Sequence, residues 1–242
     1  MDSKISTPIT TSIITLDGPA GVGKSTIARQ VAEALGMPYM DTGAMFRTIA
    51  MHVGPTLPEV VTLSDGSCAL DSTVIADLEA RILGFDFGLR GAGSQSILSC
   101  NGRDIGDEIR TEEVGALAAK VATIPVVRQC LKAVQQRLGA KQDLVAEGRD
   151  MGTEIFPHAA HKFFLDAAPE IRAQRRFDQL VSMGKSPDLA LLTEQIKQRD
   201  DQDRNRAVAP LKPAHDAAIV DTGHMSIEEV FQHILNSVGK MQ

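Results

Sequence analysis

Five stretches of the chain share one pattern, a short apolar run that stops at a carboxylate. They are IITLD ending at Asp17, PYMD at Asp41, LVAE at Glu147, KFFLD at Asp166 and AIVD at Asp221. Each is followed by Gly, Thr or Ala and then by apolar positions at helical spacing. Unbroken apolar runs alternating with amphipathic helices predict a parallel sheet covered on both faces. In such sheets ligands gather at the carboxyl ends of the strands, where these acids lie.

The helices carry their own start and stop signals. STIARQVAEAL puts Ile27, Val31 and Leu35 on one stripe and stops at Gly36. PEIRAQRRFDQL opens on Pro169, whose fixed φ suits a first helical turn. SIEEVFQHIL opens with a capping box, Ser226 with Glu229, ahead of the stripe Ile227, Val230, Phe231 and Ile234. Residues 60–106 break the alternation: DSTVIADLEARIL reads as a helix, and FDFGLRG, SQSILSC and RDI as short strands. GAGS and Asn101-Gly102, a preferred pair for a tight hairpin turn, separate them. The expectation is a small antiparallel unit inserted into a parallel-sheet protein.

Composition narrows the class. With 43% hydrophobic and 23% charged residues over 242 positions, the chain has the balance of a soluble globular protein. A net charge of −6 argues against a broad surface for a nucleic-acid polymer, and one Tyr with no Trp argues against a stacking platform. No run approaches the roughly 20 apolar residues that span a bilayer, and MDSKISTPITTS lacks a secretory apolar core. Cys68, Cys100 and Cys130 are far apart and form no CxxC pair, so they read as reduced thiols. A cytoplasmic location without membrane attachment is expected. His158 and His161 in PHAAH have helical i, i+3 spacing but no third ligand nearby, and read as a surface pair.

DGPAGVGKST, residues 17–26, has the P-loop spacing Gly18, four residues, Gly23-Lys24-Ser25, between a strand and a helix. Glycines let the backbone wrap so that its N–H groups face phosphate oxygens, and the helix N-terminus adds partial positive charge. Lys24 is placed to reach the terminal phosphates and the Ser25 hydroxyl to bind magnesium. The Asn-Lys-x-Asp tetrad of guanine-reading GTPases is absent. Arginines recur at element ends: Arg47, Arg110, Arg128, Arg149, then Arg172, Arg175 and Arg176 in one short helix. RDDQDRNR, residues 199–206, ends the set. Its default reading is a solvated face with Asp200–Arg204 and Gln202–Arg206 at four-residue spacing. Yet Arg199, Asp203 and Arg206 stand at i, i+4 and i+7, two guanidiniums around one carboxylate on one stripe.

GPAGVGKST, DTGAMFR, DEIRTEEV, AEGRDMGT and RDDQDRNRAVAP, in this order, resemble the bacterial cytidylate kinase family from about residue 10 to the last helix. The resemblance implies an α/β fold of the adenylate-kinase-like P-loop type. Its sheet is parallel and five-stranded, flanked by helices, with a small antiparallel insertion and a lid. The implied segments are a core in 9–58, 109–170 and 191–242, a CMP-binding insertion in 59–108 and a lid in 171–190. The implied reaction is ATP- and magnesium-dependent phosphorylation of CMP or dCMP by a monomeric enzyme.

By the same resemblance, Gly18, Ala20, Gly21, Val22, Gly23, Lys24, Ser25 and Thr26, with the lid residues Arg172 and Arg176, hold ATP. Ser25 and Glu147 hold magnesium, with Asp17 and Asp41 nearby. Thr42, Arg47, Arg110, Ala119, Arg128, Arg149, Asp150, Arg199 and Asp203 face CMP. Arg47 and Arg149 grip its phosphate, Arg128 and Asp150 read cytosine, and Arg199 and Asp203 hold ribose. Lys24, Arg149, Arg199 and Arg206 carry the transfer. Ala119 departs from a family hydroxyl and Phe46 from a tyrosine, and Glu154 stands where an apolar residue is usual. A kinase for another monophosphate such as UMP, and a regulatory nucleotide-binding protein without turnover, are the competing readings.

Overall fold

The computed structural model describes residues 11–57, 61–62 and 68–239. The side chain of Cys68, and residues 9–10 and 59–60 at the expected segment edges, lie outside the described set. The chain starts with β1 (Ile13–Asp17), α1 (Lys24–Leu35), β2 (Tyr39–Asp41) and α2 (Thr42–Val53). Next come β3 (Val61–Thr62), β4 (Cys68–Ala69) and α3 (Ser72–Leu83). The antiparallel unit is β5 (Phe87–Arg90), β6 (Ile97–Cys100) and β7 (Arg103–Asp104). Helices α4 (Glu112–Val121) and α5 (Pro125–Gly139) lead back to β8 (Leu144–Gly148). A single π turn, Met151–Ile155, precedes β9 (His161–Asp166). The chain ends with α6 (Pro169–Ser182), α7 (Leu189–Asn205), β10 (Ala218–Asp221) and α8 (Ile227–Gly239).

The five apolar runs form one parallel sheet in the order β10-β9-β1-β8-β2. Strand side chains alternate between two cores. Ile14 and Leu16, with Val145, Phe163 and Val220, pack under α1 and α8 through Ile27, Val31, Val230 and Ile234. Leu144 and Ala146 join the other core with Met40, Met45 and Ile49 of the β2–α2 segment and Val127 and Leu131 of α5. Met37 packs at the edge of the α1–α8 core, and Met51 against a small third cluster of Ala44, Ile109 and Val114.

The register sets the working end of the sheet. Asp41 lies beside Glu147, Asp17 beside Gly148, and Asp166 beside Asp221. The carboxylates that terminate the strands therefore share one edge. Gly18 follows Asp17 at φ 147°, and a Cβ there would stand 2.0 Å from the Leu165 carbonyl oxygen. Any side chain at that position pushes the loop off β9.

The insertion is tied to the rest of the chain. Asn101 (φ 51°) and Gly102 (φ 75°) both adopt left-handed backbone, as a two-residue hairpin turn requires. Phe87, Leu78 and Ile82 belong to the same core as α5. Gly93 N–H donates to the Met37 carbonyl at 2.8 Å, and Tyr39 N–H donates to Ser96 Oγ at 2.8 Å. The capping box of α8 forms through Ser226 and Glu229. Its buried stripe is Val230, Ile234 and Val238. Ile227, expected in that stripe, is 52% exposed, because the first turn lies outside the packed row. Among the described residues no single helix is long and apolar enough to cross a membrane.

Candidate active site

The loop between β1 and α1 turns through Gly21 (φ 78°) and Gly23 (φ 95°), which caps α1 with no side-chain hydrogen bond. The first N–H groups of α1 thus face the loop without a competing carboxylate, the arrangement that takes phosphate. Lys24 opens the helix, is buried, and donates to the Pro19 carbonyl at 2.6 Å. Burial, and next the charge of Arg149, push its ammonium pKa down to about 7, against the pull of Glu147, Asp17 and Asp203. The ammonium therefore holds its proton less firmly than a free lysine, and polyphosphate placed beside it would raise the pKa again. Binding of a nucleoside triphosphate at pH 8 is therefore expected to take up protons. Calorimetric titration in buffers of different ionisation enthalpy reads this; a binding enthalpy independent of buffer contradicts it.

Below the loop lie the carboxylates. Asp17 accepts from the N–H groups of Met151 (2.9 Å) and Gly152 (2.8 Å), so the end of β1 caps the π turn that follows Arg149 and Asp150. Burial, only partly offset by those two bonds, pushes its pKa up to about 6. Glu147 is buried, and burial together with the charge of Asp41 raises its pKa. Lys24 and hydrogen bonds from Tyr39 and Ser25 act the other way. Ser25 and Glu147, expected as the magnesium pair, thus lie close enough for the Ser25 hydroxyl to bear on the Glu147 carboxyl. They sit where Glu147 and Asp41 crowd negative charge beside a lysine of weakened charge, an environment that suits a divalent cation. No cluster of three or more His, Cys, Asp or Glu side chains stands ready for a metal among the described residues, so phosphate oxygens would complete the ligand set. His158 and His161 form no such cluster either.

Across from Lys24 the arginines converge. Arg149 donates to Asp203 at 2.9 Å. Arg206 lies 3.7 Å from Asp150 and 3.9 Å from Asp203. Arg128 forms a buried ion pair with Asp150 and donates to the Ala122 carbonyl at 3.1 Å. Arg47 donates to the carbonyls of Ile109 (3.0 Å) and Thr111 (3.1 Å), and Arg110 pairs with Asp41 at 3.3 Å. Burial first, then mutual repulsion, lowers the pKa of several of these groups. Arg47 feels Arg110 and Arg149, Arg199 feels Arg149 and Arg47, and Arg206 feels Arg128 and Arg149. Asp203 runs the other way: burial tends to raise its pKa, but Arg149, Arg206 and Arg199 together hold the carboxyl low. Arg206 Nη2 is buried without a hydrogen-bond partner. An excess of cationic groups with an unused donor is what an anionic ligand relieves.

Several of these side chains have partners that local spacing does not announce. Arg172, expected on the lid as an ATP contact, is 1% exposed. Its guanidinium is taken up by Asp200, the Ala20 carbonyl (3.0 Å) and the Ala167 carbonyl (2.9 Å), so it braces the phosphate loop from behind. Asp200 therefore faces inward and does not form the solvated pair with Arg204, which reaches Asp166 at 3.2 Å. Arg206 likewise turns inward instead of pairing with Gln202. Helix α7 ends at Asn205, and Arg206 enters the site from extended backbone (ψ 141°), so the i+7 position of the stripe is not helical. Thr42, expected to face substrate, donates its hydroxyl proton to the Glu147 carbonyl at 2.7 Å, which fixes the side chain.

The remaining positions separate in the same way. Arg176 points along α6 to Gln179 at 2.8 Å and lies 3.8 Å from Glu112 on α4. Arg175 bonds Thr222 in the β10–α8 loop. Ala119 is exposed on α4. The Phe46 ring carries the Arg128 guanidinium at 5.4 Å, a contact that needs no phenolic hydroxyl. Glu154 pairs with Lys132 at 3.8 Å, which accounts for an acid where an apolar residue is usual. Sequence reasoning missed the bonds of Asp17 and Tyr39 and the Arg172–Asp200 pair. Their partners lie far along the chain, beyond any local spacing rule.

The profile of the family described as cytidylate kinase matches residues 14–240. The chain is 62% identical to the cytidylate kinase of Nitratidesulfovibrio vulgaris strain Hildenborough, over 96% of this chain and 94% of that one. It is 54% identical to the cytidylate kinase of Oleidesulfovibrio alaskensis, over 93% and 97% of the two chains. With the cytidylate kinase of Lawsonia intracellularis the figures are 44%, 94% and 95%. A phosphate loop facing a ring of arginines, in a chain matched along nearly its whole length, leaves one conclusion: this protein belongs to the cytidylate kinase family.

Proposed function

We propose that the chain transfers the γ-phosphoryl group of ATP to the phosphate of CMP or dCMP, giving CDP or dCDP. The observation that carries this reading is the convergence of Arg149, Arg199, Asp203 and Arg206 opposite Lys24. The acceptor oxygen is already ionised at neutral pH, so the reaction needs positioning and charge neutralisation instead of a general base. Arg47 and Arg149 grip the acceptor phosphate. Arg199 and Asp203 hold the ribose, and Arg128 with Asp150 faces the cytosine edge. Lys24 and Arg206 balance the charge that spreads over the moving group. Magnesium would be held by Ser25 and Glu147, and supplies alignment and neutralisation of the donor phosphates when bound. Residues 59–108 form the acceptor-side insertion, and 171–190, spanning the α6–α7 turn, a lid that excludes water. A monomeric, cytoplasmic enzyme is the reading that the family resemblance supports.

The test is a panel of monophosphates with ATP and magnesium. CMP and dCMP are expected to give the highest kcat/KM, with UMP and AMP at least about tenfold lower, the worth of one base-reading hydrogen bond. A preference for UMP or AMP overturns the assignment. Tight nucleotide binding without any transfer supports a regulatory protein instead.

A further inference from the structure

Tyr39 is the only tyrosine of the chain, and there is no tryptophan. It opens β2 and is 6% exposed, packed among Val31, Ala32 and Val145 on the α1 side of the sheet. Phenylalanine would fill the same apolar volume, so the hydroxyl has a separate reason to be there. In the β2–β8 register Tyr39 stands opposite Val145 and Asp41 opposite Glu147. Tyr39 and Glu147 are therefore diagonal neighbours on one face, within reach of a long side chain. The phenolic O–H donates to Glu147 Oε1. Above the ring, 5.2 Å from its centroid, stands the guanidinium of Arg29. Arg29 lies one turn along α1 from Ser25, whose hydroxyl also stands near Glu147.

Glu147 is thus held by a phenol fixed in the core and lies beside the hydroxyl expected to bind the cation. A buried carboxylate next to Asp41 has reason to swing away. One oxygen tied to an immobile ring prevents this and leaves the carboxylate turned toward Ser25. Groups that orient a metal-holding carboxylate in this manner commonly set metal affinity by 10–100-fold.

We propose that Tyr39 is a positioning residue for magnesium: its hydroxyl clamps Glu147 in the orientation that meets a cation bound at Ser25. The inference rests on the Ser25–Glu147 reading of the magnesium site, and the experiment separates the two. Magnesium is titrated against wild type, Tyr39→Phe and Glu147→Gln with ADP present and no acceptor, and kcat is measured at saturating magnesium. Tyr39→Phe is expected to raise the magnesium concentration for half-maximal binding about tenfold. Its kcat at saturation stays within about threefold of wild type, since the clamp acts on occupancy and not on the transfer itself. Glu147→Gln weakens magnesium at least as much.

A Tyr39→Phe protein with unchanged magnesium dependence, beside a weakened Glu147→Gln, overturns the clamp and leaves the magnesium site standing. Unchanged dependence in both removes the magnesium reading along with it. The lone tyrosine gives a second readout that needs no variant. A carboxylate acceptor quenches phenol emission, and a cation that draws charge from Glu147 weakens that acceptor, so magnesium with ADP should raise the fluorescence of the wild-type protein. Emission that stays flat through the titration overturns the proposal even if Tyr39→Phe fails to fold.

Discussion

Lys24→Met is expected to lower kcat about 10³-fold, the loss that follows removal of one preorganised electrostatic contact to the transition state. The same substitution should not lower the melting temperature of the ligand-free protein. Lys24 is buried, and its pKa falls to about 7, chiefly through burial. The sign follows from the two states. The unfolded chain holds the lysine proton up to about pH 10, whereas the folded chain releases it through about pH 7. The unfolded state binds the proton more tightly, so this group opposes folding at neutral pH, most strongly below pH 7. Methionine keeps the methylenes and removes the charge. The expected protein is therefore as stable as wild type, or more so, and nearly inactive, the signature of a group retained for chemistry. Steady-state kinetics beside a thermal melt decides it. Turnover within tenfold of wild type removes Lys24 from the reaction.

The largest expected loss of stability belongs to a residue with no place at the reacting atoms. Arg172 and Asp200 form a buried ion pair whose side chains are 1% and 10% exposed. Two further bonds run from the guanidinium to the Ala20 and Ala167 carbonyls. Asp200→Ala leaves that guanidinium buried with its main partner gone, a change worth about 3–5 kcal/mol. At roughly 2–4 °C per kcal/mol for a chain of this size, the melting temperature falls by on the order of 10 °C. Because Arg172 also holds the phosphate loop through Ala20, KM for ATP should rise more than KM for CMP. The double variant Arg172→Met with Asp200→Leu removes both charges and should recover a good part of the loss. A melt unchanged in Asp200→Ala would show that the pair does not brace the loop.

Much of this arrangement was legible because its causes are local. Strand runs ending in Asp or Glu, the glycines at 18, 21 and 23, and the left-handed pair Asn101-Gly102 announce themselves within a few residues. The stripe of Arg199 and Asp203 follows from helical spacing alone. What was not legible depends on which segments the fold brings together. Asp200 looks like one more surface acid in RDDQDRNR, and only the packing of α6 against α7 turns it toward Arg172, 28 residues earlier. Nothing near Tyr39 hints at Glu147, 108 residues away, because β2 and β8 become neighbours only in the sheet. Arg206 was readable as a member of the cluster but not in its route, since the helix stops one residue before it.

At the centre stands the claim that two nucleotides meet end to end, one on the Lys24 loop and one among the arginines. A single molecule carrying adenosine and cytidine joined through a pentaphosphate chain tests it most directly, with binding followed by calorimetry. One molecule spanning both sites should bind at least about 10²-fold more tightly than ATP or CMP alone, through the effective concentration of its second half. Either mononucleotide should displace it. Binding no tighter than that of ATP alone, or displacement by ATP but not by CMP, would mean that the arginine ring is not the acceptor site.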